Sequence, residues 1–174
     1  IGIIMSSAFT VRPATLEDTA GIRTLYLGVA KIAGGLARLE DEITDDYIEH
    51  NLHNGVTRGV CIVAESAGKI VGEIHCYPPT PRVFAHVLSD LTIAVAPDFQ
   101  GHGVGRAIFT RLLETVQQTR PEILRVELIA RESNQKAIAF YQSLGFVIEG
   151  AMKGRIHRPD GEFEADIPMA WSRT

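Results

Sequence analysis

The chain has 174 residues, enough for one domain, with ordinary globular proportions of 45% hydrophobic and 22% charged residues. Its net charge of −4 argues against generic nucleic-acid binding, which needs a basic surface, but leaves room for a local basic pocket around one small polyphosphate. No apolar run approaches the ~18–20 residues of a membrane span.

Ile1–Met5 is apolar but has neither a basic n-region nor a long h-region, so it does not read as a signal peptide. Met5 reads as a natural start, with residues 1–4 as a leader and 5–174 as a single domain. Phe9–Arg12 reads as a short strand ended by Pro13. Thr15 and Asp18 form a capping-box pattern. The helix behind it carries Ile22, Leu25, Tyr26 and Val29 at helical spacing. Gly34-Gly35 breaks that pattern. Glu40-Asp41-Glu42 and Asp45-Asp46 then lead into a second helix through His50. The acidic run reads as a solvated face, the alternative being a rim that attracts an amine.

Val60–Glu65 and Ile70–His75 read as strands joined by the turn Ser66-Ala-Gly-Lys69, a hairpin. The two cysteines, Cys61 in the first strand and Cys76 just after the second, read as buried thiols; a cytoplasmic location follows from these and from the lack of a signal peptide. A proline-rich loop, Pro78–Pro81, precedes the strand Leu91–Val95. A long helix over about 103 to 119 places Val104, Ile108, Leu112 and Val116 four apart. Leu124–Ala130 reads as strand, and Asn134–Leu144 as a helix with the stripe Ala137, Phe140, Tyr141 and Leu144, ended by Gly145. Phe146–Glu149 and Ala165–Trp171 read as two last strands around a loop. The predicted class is α/β (α+β): a mixed, mainly antiparallel sheet of about seven strands flanked by about four helices. Ala165–Trp171, an apolar strand able to stand at an edge, predicts a homodimer.

The stretch from Val95 to Arg106 carries the most chemistry. A strand ends, a turn follows, and a helix begins among Gly101, Gly103 and Gly105. Helix N-termini offer unpaired N–H groups and partial positive charge, and glycines let an anion approach the backbone closely. The Rossmann spacing fails because Arg106 stands in place of its second x-x-G step, and the P-loop Lys is absent. A glycine-rich turn without ligand is the alternative at this point. About 30 residues on comes the run Asn134–Phe146. No His, Cys, Asp and Glu spacing matches a metal site.

Gln100-x-x-Gly103-x-Gly105 resembles the pyrophosphate-binding signature of the GNAT N-acetyltransferase family. Asn134-x-x-Ala137-x-x-x-Tyr141-x-x-x-Gly145-Phe146 resembles that family's second signature, and the element order matches over residues 9–171. The tail, from Arg125-Val-Glu-Leu through Gly145–Gly150 to Asp166 and Met169, is similar to the bacterial amino-acid and phosphinothricin-type branch; His86 ahead of Asp90 fits it too.

The resemblance implies acetyl transfer from acetyl-CoA, without a metal, to a small primary amine; an amino acid is one candidate. It implies that backbone groups of Ile93, Ala94 and Val95 pair with the pantetheine arm. The N–H groups of Gln100, Gly101, His102, Gly103, Val104, Gly105 and Arg106 would hold the pyrophosphate. Asn134, Ala137, Phe140 and Tyr141 would serve the cofactor, Tyr141 also protonating the leaving sulfur. The amine must lose a proton, and Glu73, Asp90 and Glu127 are candidate bases, with His75, His86 and His157 as acceptors by imidazole chemistry. Asp90 and Glu127 are carried as catalytic. The peptide-acetylating branch places its Glu where Ile129 stands, so that role does not carry over. Two other readings stay open: a peptide or protein N-terminal acetyltransferase, and a non-catalytic acyl-CoA-binding domain.

Overall fold

The computed structural model describes residues 8–32 and 34–174, so the leader read at 1–4 lies outside the described residues. The chain divides into two compact units, one of Ile1–Tyr77 with Thr92–Thr119, the other of Pro78–Leu91 with Arg120–Thr174.

In the first unit, strand β1 (Thr10–Pro13) leads through a short 3-10 turn to helix α1 (Thr19–Ala30); helix α2 (Asp45–Thr57), strands β2 (Val60–Ser66) and β3 (Lys69–Tyr77), the later half of β4 (Val87–Val95) and helix α3 (Val104–Thr119) follow. β1 runs antiparallel to β2, with Val11 opposite Ala64. The strand ends at Pro13 as expected, with Pro13 itself its last residue, pairing with Ile62; β1 starts the strand order and a proline is tolerated at an edge. β2 and β3 form the expected hairpin, turning at Ala67 (φ 49) and Gly68 (φ 77), the two left-handed positions of a primed two-residue turn. β4 follows β3 in the sheet, and the amide of Ala96 donates to Val71 O at 2.8 Å.

The Asp18 carboxylate accepts the Thr15 N–H at 2.8 Å, and the Thr44 hydroxyl accepts the Tyr47 N–H at 3.1 Å to cap α2. α2 continues past His50 to Thr57, because its inner face is completed by the buried Asn51, Leu52 and Gly55, which interrupt the apolar pattern without leaving the interior. The core of this unit joins Ile22, Leu25, Tyr26 and Val29 to Ile48, Leu52, Cys61, Val63 and Ala94. Each such aliphatic side chain contributes roughly 1.5–3 kcal/mol when fully buried. Cys61 and Cys76 are buried thiols outside any disulfide.

In the second unit, the first half of β4 pairs in parallel with β5 (Arg125–Arg131), Val87 opposite Arg125 and Leu88 opposite Val126. β5 runs antiparallel to β8 (Phe163–Ser172) along its whole length. β6 (Val147–Ile148) and β7 (Met152–His157) pair with β8 as well. Ala165–Trp171 therefore has neighbours on both sides and is not the free edge on which the homodimer expectation rested. β7 is an addition to the predicted strands: it is short, mostly exposed and carries Gly154 at φ 67, so its sequence lacks the apolar alternation of a half-buried strand. In all, the described residues form eight mainly antiparallel strands and four α-helices.

Helix α4 (Gln135–Ser143) ends as expected at Gly145 (φ 98): the Gly145 N–H donates to Gln142 O at 3.0 Å and the Phe146 N–H to Tyr141 O at 3.1 Å, a Schellman closure.

Candidate functional site

In the first unit β4 ends at Val95, and a 3-10 turn over Pro97–Phe99 delivers the chain to α3. Two bonds fold the turn on itself, Gln100 N–H to Pro97 O and His102 N–H to Phe99 O, both 3.3 Å. The Gln100 side chain donates from Nε2 to Val95 O at 3.0 Å, tying the turn to the strand end. Gly101 (φ 77) and Gly103 (φ 82) adopt left-handed conformations, and a Cβ at either would meet nothing within 4 Å, so their outer side is open. The first bond of α3 runs from Ala107 N–H to Gly103 O at 3.0 Å, so Val104, Gly105 and Arg106 occupy the helical start where N–H groups look outward along the axis. Val104 is buried, so its only offering is backbone; Ala94 is buried, and Ile93 and Val95 are half-buried. A helix N-terminus behind two left-handed glycines fits an anionic diphosphate: positive dipole, exposed amides and no side chain in the way.

The same unit holds a buried polar cluster. Glu73 and His75 of β3 are 1% and 3% exposed. The Tyr26 hydroxyl donates to Glu73 Oε2, the Cys61 thiol donates to Oε1 at 3.3 Å, and His75 Nδ1 lies 2.7 Å from Oε1. Burial, then the Glu73 charge, pushes both the Tyr26 hydroxyl and the Cys61 thiol well above their ordinary values. The sequence names Glu73 and His75 separately; their i, i+2 spacing on one strand face is the signal that could have linked them. Tyr26 and Cys61 come from distant elements and gave no local signal.

In the second unit, α4 carries Asn134, Ala137, Phe140 and Tyr141 together. Asn134 Oδ1 accepts the Ala137 N–H at 3.1 Å, so its side chain caps the helix. The buried residue of α4 is Ile138; Ala137, Phe140, Tyr141 and Leu144 are half-buried, one position around from the core stripe the sequence indicated. Tyr141 packs against Phe140 (ring centres 5.7 Å apart) and Phe146 (6.3 Å). Burial raises the Tyr141 hydroxyl, keeping it protonated and able to donate.

Glu127 faces Arg125, whose Nε donates to its Oε2 at 2.9 Å, while the same guanidinium forks onto Glu149. Asp90 is exposed and sits at φ 53, an uncommon left-handed conformation for a non-glycine inside a strand. The His86 carbonyl accepts the Leu124 N–H at 2.9 Å, and the His157 ring stacks on Phe163 at 4.5 Å. Among the described residues no helix is long and apolar enough to cross a membrane, and no group of three or more His, Cys, Asp and Glu side chains is placed to hold a metal.

A sequence model of the acetyltransferase (GNAT) family matches residues 24–146. The ribosomal protein bS18-alanine N-acetyltransferase of Escherichia coli strain K12 is 44% identical over 75 residues, 43% of this chain and 49% of that protein. The match thus spans about half the length of that relative. The solved acetyltransferase of the GNAT family from Streptococcus pneumoniae superposes with a TM-score of 0.83 at 22% identity, over 95% of this chain and 100% of that one. A GNAT phosphinothricin acetyltransferase from Sinorhizobium meliloti, solved with AcCoA, gives 0.80 at 19% identity, over 94% and 88%.

Proposed function

The chain belongs to the acetyltransferase (GNAT) family, and on that premise we propose that it transfers the acetyl group of acetyl-CoA to a primary amine of a small molecule, an amino acid among the candidates, by direct attack. The observation that carries this reading is the strand–turn–helix over 95–106, whose left-handed Gly101 and Gly103 leave the start of α3 open to a diphosphate. Acetyl-CoA supplies the activated thioester. The amides of Gly101, Gly103, Val104 and Gly105, with Arg106, hold its phosphates, whereas the Gln100 and His102 amides expected there are turned onto Pro97 O and Phe99 O; backbone groups of Ile93–Val95 take its pantetheine arm as an added strand. Tyr141, neutral and half-buried, donates a proton to the departing sulfur. Of the two carboxylates carried as catalytic, Asp90 and Glu127, the second is held by the Arg125 guanidinium. The free, buried thiol character of Cys61 supports a cytoplasmic setting.

The test is thiol release from acetyl-CoA across amino acids, polyamines, aminoglycosides and peptides. Acetylation of a small amine is expected; calorimetry that finds no acetyl-CoA binding rejects the reading. A second reading, N-terminal acetylation of a protein, draws on what the E. coli relative's name says it acts on. Against it, Ile129 is exposed where the peptide-acetylating branch carries its Glu. A homodimer would draw on exposed apolar side chains such as Val147 and Ile148 of β6 and Phe163 of β8. Light scattering at micromolar concentration decides, since 19.0 kDa is the monomer.

A further inference from the structure

The cluster around Glu73 and His75 is arranged for proton transfer. Tyr26 and Cys61 are held protonated, so each spends its hydrogen on the Glu73 carboxylate. Oε1 accepts, so the contact at 2.7 Å assigns a ring hydrogen of His75 to Nδ1, and in the neutral imidazole Nε2 then carries the lone pair. Nε2 is buried and has no hydrogen-bond partner among the described residues. Buried polar atoms in native proteins are nearly always paired, so an orphan calls for a role.

Two tyrosine rings lie near-parallel to the imidazole. Tyr26 lies 6.4 Å from it at 26° and Tyr77 lies 6.3 Å away at 11°. Tyr77 is itself anchored, its hydroxyl donating to Asn51 Oδ1 at 2.8 Å. The titratable groups around the pair are Tyr26 from α1, Tyr47 from α2, Cys61 from β2 and Tyr77 from β3, with the exposed His50 of α2 packed edge-on to the Tyr77 ring at 6.1 Å. Arg38 lies over the Tyr47 ring and Arg58 near the Tyr77 ring, at 3.9 and 5.9 Å, and Asp18 acts on Cys61. A carboxylate on Nδ1–H with Nε2 unoccupied is the arrangement that makes an imidazole a general base in a Ser-His-Asp triad.

We propose, resting on the amine-acetylation reading above, that His75, oriented by Glu73, takes the proton from the incoming ammonium through one water. One N–H bond of the ammonium breaks and its proton joins Nε2. The lone pair so freed forms the C–N bond as the thioester C–S bond breaks. Sulfur leaves with that bond's electron pair, and the nitrogen's surplus proton ends on it, giving the amide and the thiol. His75 is then the catalytic base, in place of the Asp90 and Glu127 carboxylates, and Glu73 a positioning residue.

The experiment records kcat/KM against pH from about 5 to 9 with acetyl-CoA and the panel amine that turns over fastest. The wild type should lose rate on the acid side. His75→Gln should fall by about 10²–10⁴-fold, the range for a positioned base, and its rate should climb with hydroxide without a plateau. Glu73→Gln should move the acid limb to lower pH, because the imidazolium loses its negative partner. Acetyl-CoA affinity should stay unchanged in both. A His75→Gln enzyme that keeps the wild-type pH profile overturns the proposal while leaving amine acetylation standing; a wild type that binds no acetyl-CoA removes the reading beneath it. If either variant fails to fold, nitrogen NMR of the wild-type His75 ring decides. Titration coincident with the kinetic limb supports the role, and an unchanged ring across that limb overturns it.

Discussion

Val104, the first residue of α3, packs onto the bare backbone of Gly72 in β3: a Cβ at Gly72 would stand 2.6 Å from Val104 Cγ1 and 3.4 Å from Ile108 Cδ1. Val104 and Ile108 are 1% and 0% exposed, so neither has room to retreat. The missing side chain lets the helix start sit down on the strand, and that seat fixes where the 100–103 turn ends. Gly72→Ala should therefore overpack the contact and cost about 1–3 kcal/mol. Thermal unfolding should show the loss, and weaker acetyl-CoA binding should accompany it. An unchanged melting temperature would mean that the helix slides freely on the sheet.

Gly103→Asp with Gly105→Asp separates binding from stability. A carboxylate in the first turn of a helix suits its dipole, which offsets part of the roughly 1–2 kcal/mol strain of a side chain at the left-handed Gly103. The fold should survive. A diphosphate brought to the same turn meets two like charges, each worth on the order of 1–4 kcal/mol of repulsion at close range. Acetyl-CoA affinity should fall by at least about thirtyfold at 1.36 kcal/mol per decade. Calorimetry showing wild-type affinity would remove the diphosphate from this turn.

Asp18 ties the start of α1 to β1. Arg12 donates to both its oxygens, at 2.9 and 2.8 Å, and the Thr15 N–H donates at 2.8 Å. Chiefly through the Arg12 hydrogen bonds, the carboxyl is held below its ordinary value. A carboxyl lowered by folding adds stability above its unfolded value, near 3.9, and loses it as pH falls through the folded value. Arg12 is about a third exposed, so solvent screening limits the pair to about 1 kcal/mol. Asp18→Asn should melt lower than wild type at pH 7, and the gap should close as pH drops below about 4. A gap that persists at pH 2 would assign the effect to packing.

Local signals carried well. The Ala67-Gly68 turn, the Thr15–Asp18 cap and the Gly145 stop were legible because each depends on residues within one turn of chain. β7 was not, since its exposed Lys153, Gly154 and Arg155 give no apolar alternation. The end of α2 was missed because its buried positions include Asn51 and Gly55, which do not read as core. In the candidate site, the glycines at 101 and 103 announced an open turn and the structure gives them left-handed backbone. The Tyr26–Glu73–Cys61 bonds span 47 and 12 residues, beyond any spacing rule. The α4 stripe was misread by one position because Ala137, Phe140 and Tyr141 are apolar or aromatic yet only half-buried, while Ile138 takes the core.

That half-burial sharpens the test of Tyr141. A residue anchoring the core would be sealed, as Ile138 is at 5% exposure, and its hydroxyl would be incidental. Tyr141 instead keeps part of its ring at the surface of α4 between Phe140 and Phe146, and burial of the rest holds its proton on. A thiol ionises near 8.5 and a phenol near 10, so a neutral tyrosine can stabilise a forming thiolate and hand it a proton as the C–S bond opens. Tyr141→Phe keeps both ring contacts and deletes only the donor. Acetyl-CoA affinity and melting temperature should barely change, while single-turnover acetyl transfer falls about 10²–10⁴-fold, or about 3–5 kcal/mol of transition-state stabilisation. Single-turnover conditions matter because slow product release would hide the loss in kcat. A drop in melting temperature without a change in the chemical step would make Tyr141 a packing residue, and a normal chemical step in a stable variant would hand the sulfur's proton to another donor.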